Sequence, residues 1–227
     1  ADFAPTGERA TDAFVFDASA KWALSNRVSA GFELAAITGS TTVGRNIDAP
    51  VVRLSQLGML AKASWRYRKT TVRVDLGYAS GDANPYDDQL TSFRFDRDSK
   101  AGLILFEQVL GYQTARSALR VRDPDLVAVA PEGVNLLPTG GAVTSAVYLF
   151  PRVTQSLTES LDLYGGPLLA FSTGKLIDPY SSRLLGGGVP LNYLGAKPGD
   201  YLGLELDLGL QGKWNLTDGL KGSATLE

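Results

Sequence analysis

The residue types missing from this chain exclude most side-chain catalysis. The sequence has 227 residues and contains neither His nor Cys. Ser-His-Asp hydrolysis, His-based proton transfer, thiolate nucleophiles and sites with imidazole or thiolate metal ligands are therefore excluded. We expect no enzymatic activity and no cofactor. The net charge of −2 indicates no particular partner, so the local placement of charges must be considered instead.

Basic residues recur at alternating positions in segments with strand character. Lys62 and Arg66 come before a short turn, Arg73 follows it, and Arg152 lies in a later segment. A ring of such cations in a water-filled pore binds carboxylates or sulfates transiently and selects for anions. The simpler alternative is that they pair with Asp75 and other acidic neighbours across strands. The other charges on the same predicted face are Asp17, Glu33, Asp162, Glu205, Asp207 and Lys213.

A second basic group lies in the long segment 80–142. Its candidate residues for a pore constriction are Arg94, Arg97, Arg116 and Arg120. The stretch 101–118 lacks strand-like alternation and spaces Leu103, Phe106 and Leu110 as in a helix. This segment is interpreted as an inward-folded constriction, as an extracellular cap with its own small core, or as another pair of strands.

Acidic residues open the same long segment. Asp82, Asn84, Asp87 and Asp88 together supply oxygen ligands of the kind that Ca²⁺ prefers. Their spacing does not match an EF-hand, and acidic loop tips are common. A solvated turn is the preferred interpretation, and Ca²⁺ binding is the weaker one.

The segments that position these charges alternate between apolar and polar residues, as half-buried strands do. The alternating segments are residues 12–24, 28–36, 56–67, 72–78, 143–153, 161–171, 202–214 and 220–227. The most regular one is 202–214, in which leucines and Trp214 oppose Glu205, Asp207 and Lys213. No apolar run reaches the roughly 18 to 20 residues of a transmembrane helix.

The connections between these segments alternate between short turns and long loops. Short turns at one end and long loops at the other are typical of bacterial outer-membrane barrels. Five aromatic residues near strand ends fit an interfacial girdle: Trp22, Trp65, Tyr67, Tyr78 and Trp214. We predict an all-β, antiparallel, up-and-down transmembrane barrel with about eight strands in this stretch. The alternative is a soluble sandwich or a lipocalin-like barrel, which also alternates.

One block of sequence resembles a known family. It comprises Gly77-Tyr78-Ala79-Ser80-Gly81-Asp82-Ala83-Asn84-Pro85-Tyr86-Asp87-Asp88, with Phe93-Arg94-Phe95-Asp96-Arg97-Asp98 and Gly102-Leu103-Ile104-Leu105-Phe106 after it. This block resembles the alginate-export family of outer-membrane porins. The resemblance implies a large single-chain barrel through which an anionic polysaccharide crosses passively, attracted by basic pore residues.

These observations predict a single outer-membrane domain over residues 1–227 of a Gram-negative bacterium. Because alternation continues up to Glu227, we expect it to be part of a wider barrel. The predicted function is a pore for passage or export of a polar, anionic polysaccharide or similar solute. The alternative is a structural barrel that anchors a secretion or motility complex. Expected partners are outer-membrane lipids, the polysaccharide and other envelope proteins, but not nucleic acid.

Overall fold

The computed structural model describes residues 10–42, 51–83, 87–112, 139–175, 177–178, 181–192, 195–217 and 220–226. Three candidate residues, Asn84, Arg116 and Arg120, lie outside these ranges.

The described residues form one nine-stranded sheet. Its strands are β1 (Thr11–Ala23), β2 (Val28–Thr41), β3 (Val52–Tyr67), β4 (Thr70–Ala79), β5 (Gln89–Leu90), β6 (Ala146–Ser156), β7 (Leu161–Ser172), β8 (Tyr201–Thr217) and β9 (Leu220–Leu226). The strand order is β1-β2-β3-β4-β6-β7-β8-β9, with every neighbouring pair antiparallel. The predicted all-β, up-and-down arrangement is confirmed. The short β5 pairs in parallel with β3 and was not predicted.

The short turns all lie at one end of this sheet. The pairing Tyr67↔Thr70 closes one turn and Thr217↔Leu220 closes another, while residues 24–27 and 157–160 form the remaining two. Since neighbouring strands run antiparallel, the long connections after β2, β4 and β7 must lie at the opposite end. This predicted asymmetry is confirmed.

The pairing of neighbouring strands keeps the alternation of apolar and polar residues in phase from β1 to β8. One row runs through paired residues on seven strands: Ala20, Phe32, Ala61, Leu76, Leu149, Leu169 and Leu204. Because side chains alternate between the two sides of a strand, all members of this row share one face. We call it the apolar face. The opposite side, which carries most of the charged positions of the strands, is the polar face.

The apolar face is exposed, and the buried core lies on the polar face. Phe14, Leu206 and Leu208 are 68%, 75% and 69% exposed on the apolar face. The buried cluster instead joins polar-face strand residues to the connections around them: Ala101, Leu105, Phe106, Leu110, Val143, Ala146, Tyr148, Phe150, Leu168 and Ala170. Val143 was predicted on the apolar side of a strand that began there. That assignment was wrong, because β6 begins at Ala146 and Val143 is buried with the core.

Two short π-helical segments lie in the long connections, Leu105–Leu110 and Ser181–Leu185. Among the described residues, no helix has both the length and the apolar character needed to span a membrane. The strand pairing of the described sheet ends at β1 and at β9.

Candidate functional site

The polar face brings the four predicted strand cations together. Arg73 on β4 lies directly opposite Arg152 on β6 and directly opposite Ser64 on β3. Lys62 and Arg66 flank Ser64 on the same side of β3, so each is a diagonal neighbour of Arg73 at roughly 7–8 Å between backbones. Arg73 is therefore the centre of a four-residue cluster, which we call the cation cluster.

Only one member of the cation cluster is neutralised by a neighbour. Arg152 pairs with the Asp75 carboxylate, and its guanidinium also lies 4.5 Å from the centre of the Phe150 ring. Lys62 is directly opposite Asp75 in register. Within the described residues, however, Lys62, Arg66 and Arg73 form no ion pair. The cross-strand pairing alternative thus holds for Arg152 and not for the other three cations.

The acidic residues of the polar face lie mainly on β7 and β8. Lys213 on β8 pairs with the buried Asp162 of β7. Glu205 and Asp207 share the polar face of β8. The predicted set of eight strand residues therefore shares one face, with its net positive part on β3, β4 and β6.

Glu205 binds the backbone of a distant segment. Its Oε1 accepts hydrogen bonds from the N–H groups of Leu103 and Ile104 at 2.5 and 2.8 Å. Its Oε2 accepts one from the N–H of Leu105 at 2.8 Å. Three donors on one buried carboxylate form a charge-assisted site. We call this arrangement the Glu205 clamp, and it fixes the start of the π-helical segment to β8.

Packing holds the clamped segment against the polar face. Phe106 is 2% exposed and meets the Tyr148 ring edge-on at 5.9 Å between ring centres. Gly102 has a φ of +72°, and a Cβ there would lie 2.6 Å from both Glu205 Oε2 and Leu168 Cδ2. Only glycine fits this turn. Of the three interpretations of residues 101–118, the pair of strands does not hold for the described part, 101–112, which is helical over Leu105–Leu110 and packs against the polar face of the sheet.

A second contact ties the start of the long connection to the same face. The Phe93 ring lies against Gly58 of β3, where an added Cβ would be 2.2 Å from the nearest ring atom. The Phe93 N–H donates to the carbonyl oxygen of Ser80 at 2.9 Å, and the Thr144 hydroxyl donates to the carbonyl oxygen of Phe93 at 2.7 Å. Residues 91–95 are thereby fixed between β3 and the strand that follows the loop.

Two of the predicted loop arginines, Arg94 and Arg97, are described by the structure and come shortly before residues 101–112 in the long connection. Arg94 forms an isolated backbone bridge with Thr144. Desolvation lowers the pKa of the Arg94 guanidinium, and the positive charge of Arg97 lowers it further. The Arg97 guanidinium itself lies against Gly140. Arg116 and Arg120 lie outside the described residues.

The acidic loop residues have protein partners in the structure. Asp88 pairs with Arg53, and Asp87 Oδ1 accepts the backbone N–H of Gln89 at 2.9 Å. Asp82 Oδ2 accepts the backbone N–H of Thr91 at 3.3 Å. Across the residues that the structure describes, no group of three or more carboxylates is arranged to hold a metal ion.

Aromatic residues border the apolar face. Trp22 stacks on Phe32 at 5.9 Å, and Trp65 stacks on Tyr67 at 5.8 Å. Both pairs lie toward the short turns, as does Trp214 on β8. At the opposite end, Phe171 and Tyr201 lie 5.6 Å apart.

Sequence reasoning missed the Glu205 clamp and the Asp162–Lys213 pair. The signal for the clamp was weak: a glycine followed by apolar residues, with no indication of a partner on β8.

Comparison with protein-family models finds no match for this chain, and comparison with curated protein sequences finds none either.

Proposed function

We propose that this chain is part of an outer-membrane β-barrel that forms a pore for a polar, anionic solute. The observation that carries the proposal is the inverted distribution of side chains. Large apolar residues are exposed along one face, whereas charged residues and the buried core share the other. A sheet in water would bury its apolar face. Lipid in contact with that face accounts for its exposure.

The dimensions of the apolar face agree with a bilayer. From Leu57 to Tyr67, β3 spans roughly 34 Å at the usual rise of about 3.4 Å per residue. Tilted strands of this length match an apolar band about 25 Å tall. Aromatic residues toward both ends of the face match the two interfaces of such a band.

The cation cluster supports anion passage. Lys62, Arg66 and Arg73 are exposed on the polar face and form no ion pair within the described residues. Exposed, unpaired cations lower the energy of an anion in a pore and raise that of a cation. The resemblance of residues 77–106 to alginate-export porins suggests a carboxylated polysaccharide as the solute.

Planar-bilayer recording of the purified full-length protein tests this function. We expect open channels whose reversal potential in a KCl gradient indicates anion preference. The double variant Arg66→Glu, Arg73→Glu should reverse that preference. Charge reversal at Arg53, which lies at the long-connection end and pairs with Asp88, is the matched control and should leave the preference unchanged. Absence of conductance from correctly inserted protein would contradict the proposal.

One observation favours the alternative, a structural barrel that anchors a secretion or motility complex. Residues 101–112 lie on the polar face and are fixed there by the Glu205 clamp, which narrows the space that a pore requires. A barrel closed by this segment would conduct poorly and would retain envelope proteins on purification. Conductance of the wild-type protein distinguishes the two functions directly.

A further inference from the structure

The short turns of the first two hairpins form a basic rim. We use this term for Arg27 in the β1–β2 turn and for Arg68 and Lys69 in the β3–β4 turn. All three are exposed, and the turns 24–27 and 68–69 contain no Asp or Glu. The backbone N–H of Arg66 donates to the carbonyl oxygen of Arg27 at 2.7 Å, which holds the two turns side by side.

Arg68 directs its charge toward the apolar face. Its φ is +54°, a conformation uncommon for residues other than glycine, asparagine and aspartate. Its guanidinium carbon lies 5.3 Å from the centre of the Tyr67 ring, and Tyr67 stacks on Trp65. Both aromatic residues belong to the apolar face. This cation therefore borders the apolar face and is separate from the cation cluster on the polar face.

We propose that the basic rim binds the headgroup of an anionic phospholipid. This inference rests on the proposed membrane location. It assigns a lipid partner to the basic rim, which lies apart from the cation cluster of the proposed pore. The phosphate contacts Arg27, Arg68 and Lys69. The acyl chains then lie along the row formed by Val28, Trp65 and Val72, which are paired in register directly below the rim.

Charge complementarity selects an anionic headgroup over a zwitterionic one. Three exposed cations in adjacent turns repel one another, and a bound anion relieves that repulsion. Each Lys or Arg near an anionic membrane surface adds measurably to binding. At the opposite end of β3 and β4 lie Asp82, Asp87 and Asp88, a charge pattern that disfavours the same headgroup. The preference therefore belongs to the leaflet that contacts the short turns.

Fluorescence quenching tests the inference on the full-length protein in vesicles. The variant Trp22→Phe, Trp214→Phe retains Trp65 as the only tryptophan and places the probe beside Tyr67 and Arg68. Bromine-labelled phosphatidylglycerol and bromine-labelled phosphatidylcholine are compared as quenchers. We expect a relative binding constant about fivefold higher for phosphatidylglycerol, declining with added salt. The neutralised rim, Arg27→Gln, Arg68→Gln, Lys69→Gln, should remove the difference.

Two controls accompany this measurement. Arg53→Gln removes one cation at the long-connection end and should preserve the preference. A chain that retains only Trp214, whose own turn carries no Arg or Lys in residues 215–219, should be quenched equally by both lipids.

The possible outcomes separate the two proposals. Quenching of Trp65 by both lipids to the same extent would overturn the headgroup preference and leave the membrane location intact. A preference that survives in the neutralised rim would overturn its assignment to these three residues. If neither lipid quenched Trp65, the proposed membrane location would be overturned, and the headgroup preference with it. Quenching of each variant by phosphatidylcholine also verifies that it has inserted.

Discussion

Glu205 and Leu105 are 100 residues apart in sequence, yet Oε2 of Glu205 accepts the backbone N–H of Leu105 at 2.8 Å. The same carboxylate accepts two further N–H groups from the residues just before Leu105. A helical segment normally leaves its first N–H groups without internal partners. Glu205 satisfies them from the sheet and so attaches residues 103–105 of the long connection to β8.

Replacement of Glu205 by Gln should weaken this attachment. The Gln amide has only one oxygen that can accept hydrogen bonds. Its NH₂ group replaces the other oxygen, so at least one backbone N–H of residues 103–105 loses its partner. We expect a loss of about 1–3 kcal/mol in the stability of the docked segment. In planar bilayers the variant should show larger single-channel conductance, and limited proteolysis within residues 101–112 should be faster.

Glu33→Gln is the matched control for Glu205→Gln. Glu33 is exposed on the polar face of β2 and makes no hydrogen bond or ion pair within the described residues. Its replacement makes the same chemical change without touching the clamp. If both variants had the same conductance and protease sensitivity, the Glu205 clamp would not control the position of the segment.

Gly102→Ala tests the attachment of residues 101–112 to Glu205 by a change in the attached segment instead of in Glu205. The new Cβ would lie 2.6 Å from Glu205 Oε2 on a backbone with a φ of +72°, so both strain and a clash displace the segment. Gly187→Ala separates these effects, because Gly187 has a φ of +59° and open space around its Cβ position. We expect faster proteolysis of residues 101–112 in the first variant only. Equal behaviour would mean that the clash has no effect.

The strand pattern could be predicted from sequence because its cause is local. On β8, Leu204, Leu206 and Leu208 alternate with Glu205 and Asp207, and strand geometry alone sends the two sets to opposite sides. Short turns fix the register of each hairpin, so the shared face of the charged residues also followed from sequence. The two-residue β5 escaped prediction because its pairing with β3 depends on the path of a long connection.

Contacts between distant residues could not be predicted in this way. Strand register places Lys62 directly opposite Asp75 and Arg152 only diagonally from it, yet in the folded sheet the Asp75 carboxylate pairs with Arg152. The partner of Glu205 required the path of the connection between β4 and β6. Glu205 is buried beneath the segment that it binds.

Asp75→Asn should increase the anion preference of the proposed pore. The substitution removes the carboxylate that pairs with Arg152, and it leaves all four members of the cation cluster without a counter-charge from that residue. The half-buried Arg152 loses its charged partner, so we also expect a modest loss of stability, about 1 kcal/mol for a partly solvated pair. Reversal potentials in a KCl gradient measure the first effect, and urea titration measures the second.

Asp17→Asn is the control for Asp75→Asn. Asp17 is exposed on the polar face of β1 and has no ion-pair partner within the described residues, so its replacement changes net charge by the same amount. A purely global charge effect would give equal shifts in the two variants. A larger shift for Asp75→Asn would assign the effect to the cation cluster.

Leu206→Arg distinguishes a lipid-facing sheet from a water-facing one. Leu206 is 75% exposed at the middle of the apolar face, opposite Pro167. In water, an exposed Leu→Arg change usually alters stability by less than about 0.5 kcal/mol. At the midplane of a bilayer it costs about 2–4 kcal/mol. Urea titration of the protein folded into vesicles measures the difference, with Gln211→Arg on the polar face of the same strand as the control. Equal stabilities of the two variants would place the apolar face in water.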